Sequence, residues 1–466
     1  MTTGASPASK YRDRSLWLDQ LDEPLTVRPS LEGDTTADVA IIGAGMTGLW
    51  TAYYLSVHQP DLRIAVLERE IAGFGASGRN GGWVGAGIAG SASVYAKRHD
   101  QDAVRRAILE TCTTVDEIGR VIAEEGIDCG FAKEGSLAVA TSAPQERRMM
   151  QGFSAATRVG THCPGDRVVD RAESERLVHV EGWKSALYTP HCAGMDPARF
   201  IRGLARACES RGVVIYEGTE AIEVAPGVVR SPHGSVKSDA VIRATEAYTT
   251  QLPGKSRSYL PLTSLMIATE PLPADVWEEL GWARGLTVRD FKHLFFYAQR
   301  TPDDRIAIGG RGAPYTLRHP IDQRRERDTE VRARLIATLH AAFPAAREAA
   351  ITHHWGGPLG VPRDWSMGIN YDQRTGFGTA GGYSGHGVTA ANISGRTLAD
   401  LVLRRNTDLT HLPWVGHRSR NWEPEPLRFL ASSAIVKVLS SADHYEERTQ
   451  RNAKRTTLLA PVMPPS

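Results

Sequence analysis

The stretch that decides the fold is residues 37–48, which read ADVAIIGAGMTG. Its first six residues are mostly apolar and rich in β-branched side chains, as expected of a strand buried in a parallel sheet. In the GxGxxG that follows, Gly43 permits a tight turn, Gly45 lets the backbone approach a phosphate, and Gly48 lets a helix pack on the strand. We therefore predict a strand, a glycine turn and the start of a helix.

The residues after this turn complete a βαβ unit. A helix is predicted through residues 49–55, and a second buried strand through residues 63–67 ends at Glu68. The helix N-terminus offers unpaired N–H groups to a phosphate, and an acid at the end of the second strand can accept hydrogen bonds from ribose hydroxyls. This context predicts a dinucleotide site; a glycine-rich turn with a structural glutamate is the alternative interpretation.

The loop after the second strand favours FAD over a nicotinamide cofactor. Residues 73–82 read GFGASGRNGG, and three more glycines follow by residue 90. Successive N–H groups of such a backbone form anion-binding nests, and the loop is suited to close over the ribityl chain and flavin edge of FAD. Arg79 and Asn80 add a cation and an amide suited to phosphate or flavin oxygens. The alternative interpretation is a flexible surface loop.

Composition sets further limits. The chain has 466 residues and a net charge of +2, which allows two or three domains and gives no electrostatic case for nucleic acid binding. Five scattered cysteines without a CxxC pair favour a reduced protein over a disulfide scaffold or a metal site. The N-terminus lacks an apolar signal segment, and no window approaches eighteen consecutive apolar residues. We predict a cytoplasmic protein with no membrane span and no metal.

Later segments are predicted to return to the first unit. Asp196 and Pro197 are helix start signals for a helix over residues 198–210, and residues 213–217 form an apolar run typical of a strand. Another apolar run, residues 241–246, ends in the carboxylate of Glu246, which has no obvious role there.

Two insertions separate these segments. Residues 106–189 are mostly helical by pattern. Residues 251–349 contain three apolar runs separated by polar turns, which predict antiparallel strands at 265–269, 294–298 and 305–309. Near the C-terminus, the glycine-rich stretch TAGGYSGHG at residues 379–387 is followed by apolar positions at helical spacing from Val388 to Leu403.

Three motifs in this order carry a resemblance to a known family. They are GASGRNGG at residues 75–82, the segment from Leu260-Pro261-Leu262 to Thr269-Glu270-Pro271-Leu272, and Gly381 to Val388. They resemble the FAD-dependent amine and amino-acid oxidases, the family of D-amino-acid oxidase, glycine oxidase and sarcosine oxidase, and most of all its gamma-glutamylputrescine oxidase-like branch. The resemblance spans about residues 37 to 405.

The resemblance implies an α/β and α+β fold with two discontinuous domains. A Rossmann-like FAD-binding domain would comprise residues 37–105, 190–250 and 350–405, and a mixed-sheet substrate domain residues 106–189 and 251–349. Residues 1–36 would form an N-terminal arm and residues 406–466 a C-terminal extension containing an amphipathic helix near Phe429 to Val438.

The implied FAD contacts come from the glycine-rich segments and from a strand beside the adenine. The expected residues are Gly43, Gly45, Met46, Thr47, Gly48, Glu68, Arg69, Gly75, Ala76, Ser77, Gly78, Arg79, Asn80, Gly81, Gly82, Val224, Gly382, Tyr383, Ser384, Gly385, His386, Gly387 and Val388. In the family the helix after Gly387 points its N-terminus at the pyrimidine end of the flavin, where its dipole stabilises the charge that develops on reduction.

The implied reaction oxidises a C–N bond of a small amine or amino acid. A hydride passes to flavin N5, and the resulting imine hydrolyses, with O2 as the expected electron acceptor. No second GxGxxG in strand and helix context appears, so we expect electrons from the substrate rather than from NADPH. The alternatives are an FAD dehydrogenase of an amine or a hydroxy acid with another acceptor, and a flavin subunit of a larger complex.

The expected catalytic residues are Trp355, His386, Lys292 and Tyr297. Trp355-Gly356-Gly357 resembles the family strand that enters the active face of the flavin. Some relatives place a lysine on the strand here formed by residues 305–309, which has none, so Lys292 is the expected substitute. Further candidates for substrate contact are Tyr259, His293, Arg311, His353 and His354.

The FAD is expected to be bound non-covalently. Some relatives attach the flavin through a cysteine in the C-terminal half or a histidine in the loop after the second strand. No cysteine follows Cys208, and residues 73–90 contain no histidine.

Overall fold

The computed structural model describes residues 9–310, 315–317, 321 and 323–459. The strands of this part of the chain are β1 (Thr35–Ile42), β2 (Ile64–Leu67), β3 (Trp83–Gly85), β4 (Ser136–Ala140), β5 (Arg167–Val169), β6 (Ser185–Thr189), β7 (Cys192–Gly194), β8 (Val214–Tyr216), β9 (Glu223–Ala225), β10 (Val228–Ser231), β11 (Gly234–Arg243), β12 (Leu260–Thr269), β13 (Thr287–Asp290), β14 (Phe296–Arg300), β15 (Ile306–Gly310), β16 (Ile351–Val361), β17 (Gly368–Asp372) and β18 (Phe377–Gly381). The α-helices are α1 (Ser9–Arg12), α2 (Leu16–Asp19), α3 (Met46–His58), α4 (Ala92–Tyr95), α5 (Gln101–Glu124), α6 (Ala143–Val159), α7 (Arg171–Glu175), α8 (Pro197–Ser210), α9 (Ala274–Leu280), α10 (Thr329–Ala342), α11 (Gly387–Val402) and α12 (Leu427–Thr449).

The first sheet is built around β1. Its strand order is β17-β18-β11-β1-β2-β8, and the hairpin of β9 and β10 joins β11. β1 pairs in parallel with β2 and β11, which places Ile41 beside Val66 and Ile242. All three side chains are buried, so the apolar run of the opening stretch forms the centre of the sheet. α3 and α11 pack so closely that a Cβ on Gly395 would lie 2.5 Å from the Cβ of Trp50.

The second sheet has the strand order β16-β12-β15-β14-β13-β4-β6-β5 and is antiparallel except where β13 meets β4. One of its faces packs against α9 and α10. The other face carries Met266, Ala268, Ala307 and Trp355, which pack against α2 and against Phe74 of the glycine-rich loop. This second face therefore covers the loop that follows β2.

The expectation that residues 106–189 are mostly helical is wrong in one respect. The segment contains α6, α7 and most of α5, but it also supplies β4, β5 and β6, which extend the second sheet beyond β13. The β4 sequence, SLAVA, is a short apolar run that local pattern cannot assign to a strand or a helix. Its partners β6 and β13 are distant along the chain, so tertiary pairing decides its conformation.

Other expected elements are present. Strands β12, β14 and β15 cover the three apolar runs of the second insertion, and Asp196 caps α8 by accepting hydrogen bonds from Ala198 N–H at 2.8 Å and Arg199 N–H at 3.0 Å. The C-terminal helix α12 is longer than expected. The domain boundaries stay a prediction, although β16, which begins at the boundary expected for the FAD-binding domain, pairs with β12 of the second sheet.

Within the described ranges, we find no helix with both the length and the apolar character needed to cross a membrane. All five cysteines are buried and free.

Candidate active site

The turn between β1 and α3 has the backbone that phosphate binding requires. Gly43 has a φ of +101°, a conformation that residues with side chains rarely adopt. A Cβ on Gly48 would lie only 1.9 Å from the Gly43 carbonyl oxygen, so α3 packs directly on the turn. The N–H groups and positive dipole end of α3 are thereby presented at the carboxyl edge of the first sheet.

Glu68 lies beside this turn at the end of β2. Its carboxylate accepts hydrogen bonds from Ala44 N–H at 2.9 Å and from Glu70 N–H at 3.0 Å. Removal from water raises the pKa of Glu68, while the two N–H groups act in the opposite direction. The structure places the carboxylate at the dinucleotide turn; its contact with a ribose stays a prediction.

The loop at residues 73–82 is bonded to the turn. Ser77 Oγ accepts a hydrogen bond from Met46 N–H at 2.9 Å, and a Cβ on Gly45 would lie 3.0 Å from the same oxygen. Asn80 closes the loop on itself, because its amide donates to the Ser77 carbonyl at 2.9 Å and accepts from Gly82 N–H at 2.8 Å. Turn and loop therefore form one continuous glycine-rich surface.

Arg79 holds this loop against the second sheet. Its guanidinium is fully buried and pairs with Glu326 at 2.8 Å. It also donates to the Gly356 carbonyl at 3.1 Å and to the Tyr248 hydroxyl at 3.0 Å. All of these partners are protein groups, and the expected contact of Arg79 with a phosphate or flavin oxygen stays a prediction. A buried guanidinium needs such satisfied hydrogen bonds, and here they fix the position of the loop.

Trp355 and Tyr297 lie on the face of the second sheet that covers the loop. Trp355 donates its indole N–H to the Arg79 carbonyl oxygen at 2.9 Å. Tyr297 packs so closely on Gly81 that a Cβ there would lie 2.8 Å from its ring, and its hydroxyl lies 2.8 Å from Ser264 Oγ. Tertiary folding thus brings two of the expected catalytic residues to the glycine-rich loop.

The third glycine-rich segment, residues 381–387, leads into α11. The Tyr383 hydroxyl lies 2.7 Å from Thr47 Oγ1, which ties this segment to the first turn of α3. His386 is the N-cap residue of α11, and a Cβ on Gly87 would lie 3.5 Å from its Nδ1. The N-terminus of α11 therefore begins beside the N-terminus of α3, on the same surface as the loop.

Glu246 joins this third segment to the second sheet. Its carboxylate accepts hydrogen bonds from Gly360 N–H at 2.5 Å, Gly382 N–H at 3.1 Å and Tyr383 N–H at 3.4 Å. Its φ of +41° is unusual for a residue with a side chain. Removal from water raises its pKa to about 7, against the effect of the three N–H groups. Sequence analysis found no role for this carboxylate; the structure shows that it links Gly360 of β16 to the glycine-rich segment before α11.

Several polar residues around these segments combine two properties. Removal from water shifts their pKa values, yet part of each residue stays accessible. The surrounding protein displaces water from each group, while the accessible part keeps it in reach of solvent. These residues are Glu68, Glu246, Tyr248, Tyr259 and Arg289. The glycine backbone and the two helix N-termini that meet here suit an extended dinucleotide.

Lys292 and His293 contact α12, whereas Arg69 lies beside the site, 5.2 Å from the centre of the Tyr248 ring. The ammonium group of Lys292 pairs with Glu447 of α12 at 2.6 Å, and the His293 ring lies 3.4 Å from Glu446 of the same helix. Arg69 donates to Gln251 at 2.8 Å. These contacts connect the three side chains to α12 or to the end of the 3₁₀ helix at Glu246–Gln251.

The two histidines of β16 point in different directions, as strand alternation predicts. His353 Nε2 lies 3.2 Å from the Asp19 carboxylate of α2. His354 lies beside Arg327 and Arg332, and removal from water, with these two cations, lowers its pKa to about 4. Val224 lies in the hairpin of β9 and β10, and Arg311 lies outside the described residues.

Sequence analysis missed Arg289, Tyr248 and Glu326. Arg289 has no local signal, because β13 reads TVRD and its only apolar residue is Val288. Tyr248 and Glu326 could not be recognised, because their role depends on the Arg79 guanidinium that they contact.

Comparisons with known proteins agree with this geometry. The sequence model of the family described as DAO, FAD dependent oxidoreductase, matches residues 38–401. The chain is 29% identical over 405 residues to a probable oxidoreductase OrdL of Rhizobium meliloti (strain 1021), covering 84% of this chain and 89% of that protein. It is 29% identical over 413 residues to the gamma-glutamylputrescine oxidoreductase of Escherichia coli (strain K12), covering 84% of this chain and 90% of that protein. The crystal structure of glycine oxidase from Geobacillus kaustophilus superimposes with a TM-score of 0.68 at 21% identity, covering 83% of this chain and 99% of that one. This last likeness confirms the fold.

Proposed function

We propose that this chain, which belongs to the FAD dependent oxidoreductase family and is therefore a flavoenzyme, oxidises a C–N bond of a small amine or amino acid. The product would be an imine that water hydrolyses. The observation that carries the proposal is the meeting of three glycine-rich segments beneath one face of the second sheet. The names of the relatives, a gamma-glutamylputrescine oxidoreductase and a glycine oxidase, support the choice of substrate class.

The chain would hold FAD along the edge of the first sheet. The N–H group of Gly45 and the positive dipole end of α3 would bind the pyrophosphate, and Glu68 the adenosine ribose. The glycine-rich loop would close over the ribityl chain. When bound, FAD supplies the two-electron acceptor for the substrate hydride. The N-terminus of α11 would then stabilise the negative charge that accompanies reduction, because its dipole is already oriented there.

The second sheet would form the wall that faces the substrate. Tyr297 is partly accessible and is fixed by Ser264, so its ring would confine the substrate and exclude water. Trp355 is buried against Trp17 and is fixed by the Arg79 carbonyl, so it would support this wall from within. His386, at the start of α11, is placed to hold or move one proton. An amine is oxidised in its neutral form, so a single proton-accepting group suffices.

A second candidate differs in the electron acceptor. Sequence analysis predicts O2 as the electron acceptor, with Lys292 assisting its reaction. In the structure, however, Lys292 pairs with Glu447 of α12. β15 itself contains no lysine. These observations favour a dehydrogenase that passes electrons to another acceptor.

The test is anaerobic bleaching of the bound flavin near 450 nm with primary amines, N-methyl amines and D- and L-amino acids, followed by air. Bleaching by one class with release of ammonia or a primary amine would support C–N oxidation. Fast recolouring with peroxide would indicate an oxidase, and slow recolouring a dehydrogenase. If nothing in this panel bleaches a fully loaded flavin, the proposal fails, and oxidation of a hydroxy acid or a role as a flavin subunit becomes the better explanation.

A further inference from the structure

The start of α12 exposes apolar side chains to water. Leu427 and Leu430 are each 57% exposed and Leu317 is 42% exposed, and among the side chains that the structure describes these are the only exposed leucines. Leu317 follows Tyr315 closely in sequence, and the Tyr315 ring lies 6.5 Å from that of Phe429 in α12. The three leucines therefore lie in one region of the surface, which we call the leucine patch.

The patch continues along the outward face of α12. Ala434 is exposed, and Ala431 and Val438 are partly exposed. Together with the two leucines of the helix they follow the three- and four-residue spacing of one helix face. A surface helix normally carries charged side chains on that face, whereas α12 contains no acidic residue before Asp443. An exposed apolar face of this kind indicates a contact outside the chain.

A loop and the segment before α12 lie beside the leucine patch. The Arg428 guanidinium of α12 donates to the Ser256 carbonyl oxygen at 2.9 Å. Arg257 of the same loop donates to the Trp422 carbonyl oxygen at 2.6 Å. Both segments are therefore held next to the leucines at the start of the helix.

These two segments are basic. Residues 253–258 and 416–422 contain several cations and no acidic residue. The exposed cations of the two segments and of the first half of α12 are Lys255, Arg257, Arg418, Arg420 and Lys437. Among the described residues, a carboxylate lies within ion-pair distance of one of these five, Arg420, with Glu423 at 3.5 Å.

The carboxylates close to the start of α12 do not cancel this charge. Glu423 also pairs with Arg363 at 3.0 Å, and Glu425 pairs with Arg428 at 2.7 Å. Each carboxylate is thus matched by an arginine that is not itself exposed. The exposed cations therefore leave a net positive charge around the leucine patch.

Charge and apolarity together select the occupant of this surface. A second copy of the chain, docked by two-fold symmetry, would bring the same cations opposite one another, which opposes association. A polyanion such as nucleic acid would match the cations but leave the leucines in water. An anionic bilayer satisfies both, because its headgroups attract Lys and Arg while apolar side chains enter the boundary with the acyl chains.

We propose that the start of α12 docks the enzyme on the surface of an anionic lipid membrane. The leucine patch would enter the headgroup layer, and the flanking cations would meet the lipid phosphates. The docking helix lies beyond residue 401, where the match to the family model ends. The proposal goes beyond C–N oxidation and does not depend on it.

The test is sedimentation of the FAD-loaded, full-length protein with lipid vesicles. One set of vesicles contains phosphatidylglycerol and phosphatidylcholine in equal parts, and the other contains phosphatidylcholine alone. Two double variants remove parts of the surface: Leu427→Ser with Leu430→Ser, and Lys255→Gln with Arg420→Gln. The matched controls are Met150→Ser with Val159→Ser, two exposed apolar residues of α6, and Arg105→Gln with Arg106→Gln, two exposed arginines of α5.

A second measurement reports insertion directly. A polarity-sensitive fluorophore is attached to Leu430→Cys and, as a control, to Val159→Cys; the five native cysteines are buried. The emission is recorded with and without vesicles. A blue shift shows that the labelled residue has entered an apolar environment.

We expect the wild type to bind the vesicles that contain phosphatidylglycerol and not those of phosphatidylcholine alone. The leucine variant should bind at least about tenfold more weakly, because less apolar area leaves water. The cation variant should lose roughly fivefold for each cation removed, and about 0.5 M salt should weaken wild-type binding strongly. Both controls should bind like the wild type, all variants should keep their FAD, and only the label at position 430 should shift.

Several results would overturn the proposal. One is the absence of wild-type binding to the anionic vesicles, and another is equal binding by the wild type and both double variants. Self-association of the wild type that the leucine variant abolishes, without vesicle binding, would assign the patch to a second copy. An unshifted label at position 430 on bound protein would show that the leucines stay outside the bilayer. None of these outcomes bears on C–N oxidation, since no amine enters the assay.

Discussion

Replacing Glu246 with glutamine should make the thermal stability of the enzyme less dependent on pH. The carboxylate holds Gly360 and Gly382 together, and removal from water raises its pKa from 4.5 to about 7. The folded state therefore keeps the proton of Glu246 between about pH 4.5 and 7, whereas the unfolded state has already released it. Stability contributed by Glu246 is present below this window and falls as the pH rises through it.

The size of the effect follows from the shift. At about 1.36 kcal/mol per pKa unit, the raised value corresponds to at most about 3 kcal/mol, which residual contact of Glu246 with water reduces. An unfolding entropy of about 2.1 cal/mol/K per residue gives about 1 kcal/mol/K for 466 residues. The melting temperature of Glu246→Gln, measured relative to the wild type, should accordingly rise by up to about 3 °C between pH 5 and pH 8.

The assay is a thermal melt of both FAD-loaded proteins at half-unit pH steps, with Glu278→Gln on the exposed side of α9 as a control. The difference in melting temperature between the two proteins at pH 5 also contains a contribution that does not depend on pH. A glutamine amide group placed against an N–H group loses one hydrogen bond. The reasoning concerns only the change with pH. A difference that stays constant between pH 5 and pH 8, or that shrinks as the pH rises, would refute it.

Three further predictions concern the glycine turn, the mode of FAD binding and the C-terminal helix. Gly48→Ala should abolish FAD binding, since its Cβ would overlap the Gly43 carbonyl oxygen at 1.9 Å, whereas Gly152→Ala in α6, which has nothing within 4 Å, should retain FAD fully in a filtration assay. Acid precipitation should release all flavin into the supernatant; flavin in the pellet would contradict non-covalent binding. Glu446→Gln should lower the melting temperature at pH 7, with the gap closing as the pH falls from 4.5 towards 2. This is because hydrogen bonds and the Arg148 cation, opposed by burial, lower the pKa of Glu446 to about 2; a gap independent of pH would contradict this.

The sequence by itself determined the cofactor domain. The turn at residues 43–48 needs glycine for local reasons, since φ at Gly43 and the helix contact at Gly48 leave no room for a side chain. The flanking strand is equally local, being set by a run of apolar residues, and so is the start of α8, which Asp196 caps. The order of three motifs, two of them glycine-rich, then sufficed through their resemblance to predict FAD and the family, both of which are confirmed.

Only the tertiary structure decided which side chains share a site. β4 becomes a strand because β13 and β6 are there to pair with it. The guanidinium of Arg79 is bound by Glu326 and Tyr248, which are distant in sequence, while its contact with the cofactor stays a prediction. Long polar side chains can reach several partners, and the free energy of enclosing them depends on which charge lies opposite. That information is absent from local sequence, because the opposing charges come from distant parts of the chain.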